Sequence, residues 1–199
     1  SGIGGILHIA SSYSRRFDEV ILQLPKGRSL KGINVSANRG QTSITNASLE
    51  NATINTNGYL LRIEGSRIKN SKFKTPNIIN IFSTELTDSQ LESTENHFHA
   101  EKIQVHGKVE LMAKTDLQLL LSEEEKQRIN LDLSTKHGSI LHFLREGRRS
   151  FKNEENKDER LSNPYKTEKA DAKDQLIARA DQDIYLLKSE EHESSSRNR

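Results

Sequence analysis

Residues 43–92 read SITNASLENATINTNGYLLRIEGSRIKNSKFKTPNIINIFSTELTDSQLE, and one pattern occurs in them three times. Apolar residues fall at Ile44, Leu49 and Ile54, at Ile63, Ile68 and Phe73, and at Ile81, Leu86 and Leu91. The step is five residues within each set, and nineteen and then eighteen between sets. Neither a helical period of 3.6 nor a simple alternation of two produces that spacing. It is an internal repeat, so the architecture is read from it first.

Two further columns keep the same register. Small residues flank the middle apolar position at Ala47 and Ala52, Ser66 and Ser71, and Thr84 and Ser89. Two residues after that position come Asn51, Asn70 and Asp88, types that tolerate left-handed backbone and bond back to it. A short strand that points one large side chain inward and then turns a corner accounts for all three columns. Stacking such units places like above like, about 4.8 Å apart. The spacing predicts an all-β fold, a β-solenoid of stacked short strands resembling a right-handed β-helix.

Working outward, Val20, Leu22 and Leu24 alternate up to a Pro25-Lys26-Gly27 turn, and Ile33, Val35 and Ala37 share the face of a second strand. Beyond Leu91, Phe98 and Ile103 are expected to continue the five-residue step, and Val105, Val109 and Leu111 follow around Gly107. The charged run Ser122 to Arg128 is too short for a self-sufficient helix and is read as a loop. Strands follow at Ile129 to Leu133 and Ile140 to Leu144.

From Arg145 to Asp174, seventeen of thirty residues are charged, which predicts a flexible, disordered insertion. The expected organisation is a leader over 1–16, with the solenoid over 17–144 and the charged insertion over 145–174. Terminal strands over 175–187 then close the solenoid end, and a polar tail follows over 188–199.

Composition limits the function classes. Hydrophobic residues make up 32 % of the 199, low for a compact globule but sufficient for a solenoid with a thin inward row. Cysteine is absent, so neither disulfides nor thiolate metal sites exist. The net charge of +2 conceals an asymmetry. Residues 1–80 carry eleven basic and four acidic side chains, and the remainder nineteen and twenty-four. The basic part suits an anionic partner. The chain begins at Ser1, and the opening Gly2 to Leu7 is expected to be either the trailing edge of a removed signal or membrane segment or a plain boundary.

Several stretches resemble a bacterial envelope family classed as adhesin β-solenoids, a domain of otherwise unknown function. Leu24-Pro25-Lys26-Gly27 followed by Leu30-Lys31-Gly32-Ile33 is similar to the family's opening strand and turn. Its recurring apolar-x-Thr-x-Asn-Gly turn resembles Ile54 to Gly58 and Leu133 to Gly138, with Thr75-Pro76-Asn77 and Ala180 to Ile184 as degenerate copies. The resemblance implies an extracytoplasmic, non-catalytic protein at the cell surface, tethered by a segment preceding Ser1, and brings no catalytic residues with it.

Among site candidates, Arg62, Arg67, Lys69, Lys72 and Lys74 occupy outward positions of the second repeat and form the candidate contact for an anionic cell-wall polymer or lipid. Register sets Lys69 beside Glu50, Arg67 beside Glu85 and Lys74 beside Glu92, leaving Lys72 and Arg62 as the unneutralised charges. Aromatic residues are not interleaved with them, so nucleic acid is not an expected partner. His97 and His99, with Glu95 or Glu101, are weighed as a metal site, but a solvated strand face explains them and no metal or other cofactor is expected. Asp88 lacks a facing carboxylate for glycoside chemistry, since its column neighbours are Asn. The expected function is adhesion or envelope interaction. The alternative is a structural or sensory scaffold assembling through solenoid ends with itself or a membrane protein, and a polysaccharide-active enzyme comes third.

Overall fold

The computed structural model describes residues 19–23, 29–31, 34–37, 41–57, 60–143 and 159–187. The expected leader, the C-terminal tail, Leu144 at the end of an expected strand and residues 145–158 of the charged stretch lie outside these.

Each of the first five coils contributes one strand to each of three faces. The first coil holds β1 (Glu19–Gln23), β2 (Ser29–Lys31) and β3 (Asn34–Ala37), and the second β4 (Gln41–Thr45), β5 (Ser48–Glu50) and β6 (Thr53–Thr56). The third holds β7 (Leu60–Glu64), β8 (Arg67–Lys69) and β9 (Lys72–Thr75). The fourth holds β10 (Ile78–Phe82), β11 (Glu85–Thr87) and β12 (Gln90–Ser93), and the fifth β13 (Phe98–Glu101), β14 (Gln104–His106) and β15 (Lys108–Ala113). Strands on one face pair in parallel with those of the next coil, so the fold is the β-solenoid that the repeat predicts.

Like residues stack in register. Leu49, Ile68, Leu86 and Val105 form one inward column, and Ile54, Phe73, Leu91 and Leu111 another, all essentially without solvent contact. The fifth coil departs from the expected step. Ala100, not Phe98, continues the column of Ile44, Ile63 and Ile81, while Phe98 joins Leu61 and Ile79. The bulk of Phe98 makes up for the small Ala100 beside it. Ile103 stands where earlier coils place Ala47, Ser66 and Thr84.

The corners follow from local chemistry. Asn51, Asn70 and Asp88 adopt positive φ as their side chains suggest, and Asn70 Nδ2 donates to Asn51 Oδ1 at 2.6 Å. A second left-handed ladder, Asn46, Gly65, Ser83 and Lys102, turns the other side of the five-stranded face. Glycine is required in the fifth coil, where Gly107 has φ +64° and a Cβ would lie 2.0 Å from Asp88 Oδ1. The small columns serve hydrogen bonding. Ser71 Oγ accepts from Ala52 N and donates to Lys69 O, and Ser89 Oγ repeats this with Ser71 N and Thr87 O. Each hydroxyl thus satisfies two backbone groups that the corner withholds from water.

Above the fifth coil the order changes. After β16 (Leu117–Leu120) comes a helix, α1 (Glu123–Arg128), where a loop is expected. It replaces a strand on the five-stranded face, which ends at β14. Glu125 Oε2 accepts from Val105 N at 3.2 Å and Arg128 donates to Val105 O, so two side chains pair the open edge of β14. Ser122 caps the helix by accepting from Glu125 N. Tertiary partners therefore stabilise a helix that length alone does not.

Next come β17 (Asn130–Thr135) and β18 (Ile140–Phe143), then β19 (Glu159–Leu161), β20 (Tyr165–Lys166), β21 (Gln175–Ala180) and β22 (Ile184–Leu187). The last two do not close the solenoid end. Instead β21 lies in parallel between β15 and β17, and β22 between β16 and β18. The C-terminal coil is thus interposed within the stack. The end is covered by β19 and β20, paired antiparallel to β18 and β17.

Residues 159–174 accordingly depart from the expected flexible insertion, although they are highly charged. Their polar groups serve exposed backbone. Thr167 exchanges hydrogen bonds with Leu131, and Lys169 Nζ donates to the carbonyls of Lys126 and Ile129 at the C-terminus of α1.

Candidate functional site

The five basic candidates divide over three faces. Arg62 projects from β7 on the nine-stranded face, Arg67 and Lys69 from β8 on the five-stranded face, and Lys72 and Lys74 from β9 on the eight-stranded face. Register confirms the neighbours of the last four. Arg67 Nε lies 3.4 Å from Glu85, Lys69 stands beside Glu50, Lys74 beside Glu92, and Lys72 between Thr53 and Gln90.

Arg62 corrects the expectation that it lacks an acidic partner. Its guanidinium is 3.2 Å from Glu64 and 5.0 Å from the centre of the Phe82 ring. Residues two apart on a strand share a face, so Glu64 was within reach from the start. The part of the basic turn that stays together is Lys69, Lys72 and Lys74, all exposed around the corner made by Asn70 and Ser71.

The other candidates resolve into structure. His99 contacts Gln118 Oε1 through Nδ1 at 2.9 Å and Glu101 through Nε2 at 3.3 Å, whereas His97 is exposed ahead of β13. Among the described residues no three His, Asp or Glu side chains are grouped to hold a metal ion. Asp88 Oδ1 accepts from Lys108 N at 3.1 Å, as a corner residue does. Among the described residues no helix is long and apolar enough to cross a membrane.

Sequence reasoning missed a cleft of about 500 Å³ on the eight-stranded face, where the interposed coil enters the stack. Its floor is the outward column Glu92, Met112, Arg179 and Ser134, which are register partners on four adjacent strands. Lys114, Asp181 and Lys136 line its wall. Asp181 lies 2.9 Å from Lys114 Nζ and 3.4 Å from Lys136 Nζ. Arg179 donates to Ser134 Oγ at 2.6 Å and is 3.8 Å from Asp132. These residues are separated by up to eighty-nine positions in the chain, so no local motif marks them.

Two carboxylates carry charge that stabilises the fold. The Lys114 ammonium, hydrogen-bonded to Asp181, holds that carboxyl below the usual range, with Lys136 adding to the effect. At Asp174, burial pushes the carboxyl up, but the Gly107 N–H and the Arg128 guanidinium outweigh it and hold it low. Both groups have depressed folded values. Their stabilisation is present above the unfolded carboxylate value of about 3.9 and is lost as pH falls through the folded ones. Asp174→Asn should cost about 1.5–3 kcal/mol at neutral pH, as for a hydrogen bond to a charged group, and progressively less below about pH 3. Thermal unfolding from pH 7 to 2 checks this, and a loss that does not shrink in acid would separate Asp174 from acid stability.

The family model of the Toastrack DUF4097 domain matches residues 2–187. No curated protein and no solved structure gives a significant match.

Proposed function

Because the chain belongs to the Toastrack DUF4097 family, whose function is unknown, we propose that it is a non-catalytic module acting through surface contact. In this reading it is an adhesin or envelope-interaction domain, displayed outside a bacterial membrane and engaging an anionic wall polymer or lipid. The observation that supports it is the exposed row Lys69, Lys72 and Lys74 around one corner, with Lys72 flanked only by Thr53 and Gln90 in its column. Three ammonium groups around the corner between two sheets present an array for phosphate or carboxylate groups, and the attraction falls with ionic strength.

Assembly through both solenoid ends is less favoured. The C-terminal end is covered by short antiparallel strands, with Glu159 and Arg160 exposed on the outermost, a device that discourages further strand addition.

Joint replacement of Lys72 and Lys74 by Gln tests the adhesin reading, with Arg62→Gln as the control because Arg62 is already engaged by Glu64 and Phe82. Retention on purified envelopes and on anionic lipid vesicles should fall about tenfold at low salt for the double variant, and little for the control. Retention that ignores both salt and the double substitution removes the electrostatic contact.

A further inference from the structure

The cleft on the eight-stranded face has a polarity that the basic corner does not share. Its charges are matched internally. Lys114 and Lys136 both bind Asp181, and Arg179 is held between Ser134 and Asp132, which is largely buried. Glu92 adds one negative charge at the end nearest Lys74. The five charged side chains that line the cleft sum to +1, and Asp132 beside Arg179 brings the cluster to zero, so it offers many hydrogen-bond donors and acceptors and no net charge.

Met112 gives it apolar ground between the polar groups, with Ala113 and Ala180 buried behind it. Its floor follows one outward column across four strands, about 14 Å along the solenoid axis. The cleft lies on the face of a sheet whose backbone groups are already paired between strands. A peptide therefore finds no free edge there for strand addition, and a polyanion finds each cation already beside a carboxylate.

The geometry points to a binding site for a neutral linear oligosaccharide, lying along the solenoid axis over Met112 and Arg179. Sugar hydroxyls both donate and accept, which suits the Lys114, Arg179, Asp181 and Glu92 groups together. The C–H faces of the rings suit the Met112 side chain. Pairing among the cleft's own side chains holds them in place before ligand arrives, so little ordering is required on binding. This site adjoins the Lys69 to Lys74 corner at Glu92 but uses none of its lysines, so either can fail without the other.

Calorimetric titration of the whole chain with cellohexaose and chitohexaose, and with a hexagalacturonate as anionic control, tests the assignment at low and moderate salt. At least one neutral hexasaccharide should bind saturably, with affinity unchanged by salt. Met112→Glu should weaken it about tenfold, and Arg179→Gln, which leaves the floor's shape intact, should do the same. Lys72→Gln alone, away from the lining, should leave it unchanged. Absence of saturable binding by both neutral sugars overturns the proposal. So does salt-sensitive preference for the galacturonate, or undiminished binding by both variants while they keep the parent's thermal unfolding.

Discussion

Ile68→Asp should lower the free energy of unfolding by more than about 4 kcal/mol, while Lys69→Asp, one residue further on, should cost less than about 1 kcal/mol. Ile68 is 1 % exposed and stacked between Leu49 and Leu86. A carboxylate there has apolar neighbours above and below and no cation within the column. It must be buried as a charge or take up a proton, and both are costly. Lys69 projects outward between Glu50 and Thr87, so its replacement places a second carboxylate beside Glu50 in water, where repulsion is screened. Urea unfolding of the two variants measures the contrast. Equal losses would reject the inward and outward alternation on which the whole stack rests.

Ending the chain at Asp174 should have an effect of similar size for a different reason. The truncated protein retains β17 and β18 but loses β21 and β22, the strands that join them to β15 and β16. Leu131 and Leu133 lose Leu176 and Ala178 as register partners, and Ile140 loses Ile184. The last coils cannot move down and pair directly, because α1 spans the extra level and its Arg128 is tied to Asp174. The midpoint of thermal unfolding should fall by more than about 10 °C, and amides of residues 130–143 should exchange freely. An unchanged midpoint with those amides protected would show that the interposed coil is dispensable. Ala178→Asp in the full-length chain should reproduce the loss, because it places a charge at the centre of the same strand.

The solenoid itself was legible because its signal is local. Ile44, Leu49 and Ile54 state the inward step, and the following coils restate it at a nearly fixed interval. Asn51, Asn70 and Asp88 were legible as a corner because their side-chain chemistry is shared. The parallel corner at Asn46, Gly65, Ser83 and Lys102 was not, since four different residue types meet the same backbone demand. The bulk of Phe98 suggests the inner column, whereas the column there holds Ala100.

Harder still was the order of coils. Leu131 and Leu176 pair across forty-five positions, and an alternating strand carries no record of which neighbour it will join. The helix had a visible sign in Ser122 followed three residues later by Glu125, the residues of a capping box, although Glu125 turns to β14 instead. Charge density in 159–174 suggested solvent exposure. There Lys169 and Asp174 serve helix carbonyls, Arg128 and the Gly107 N–H. The candidate contacts were legible as outward positions, but their division over three faces required the coil path, and the cleft is made by segments that meet only in the folded stack.

The interposed coil also makes the two ends of the described structure unequal under mechanical load. A pull on Leu187 along its strand shears β22 against β16 and β18 at once, so two ladders of hydrogen bonds carry the force together. A pull on Glu19 acts on β1, which is paired with β4 alone among the described strands. The end of the chain to which tension is applied therefore decides whether the solenoid gives way coil by coil from its edge or resists as a clamped block.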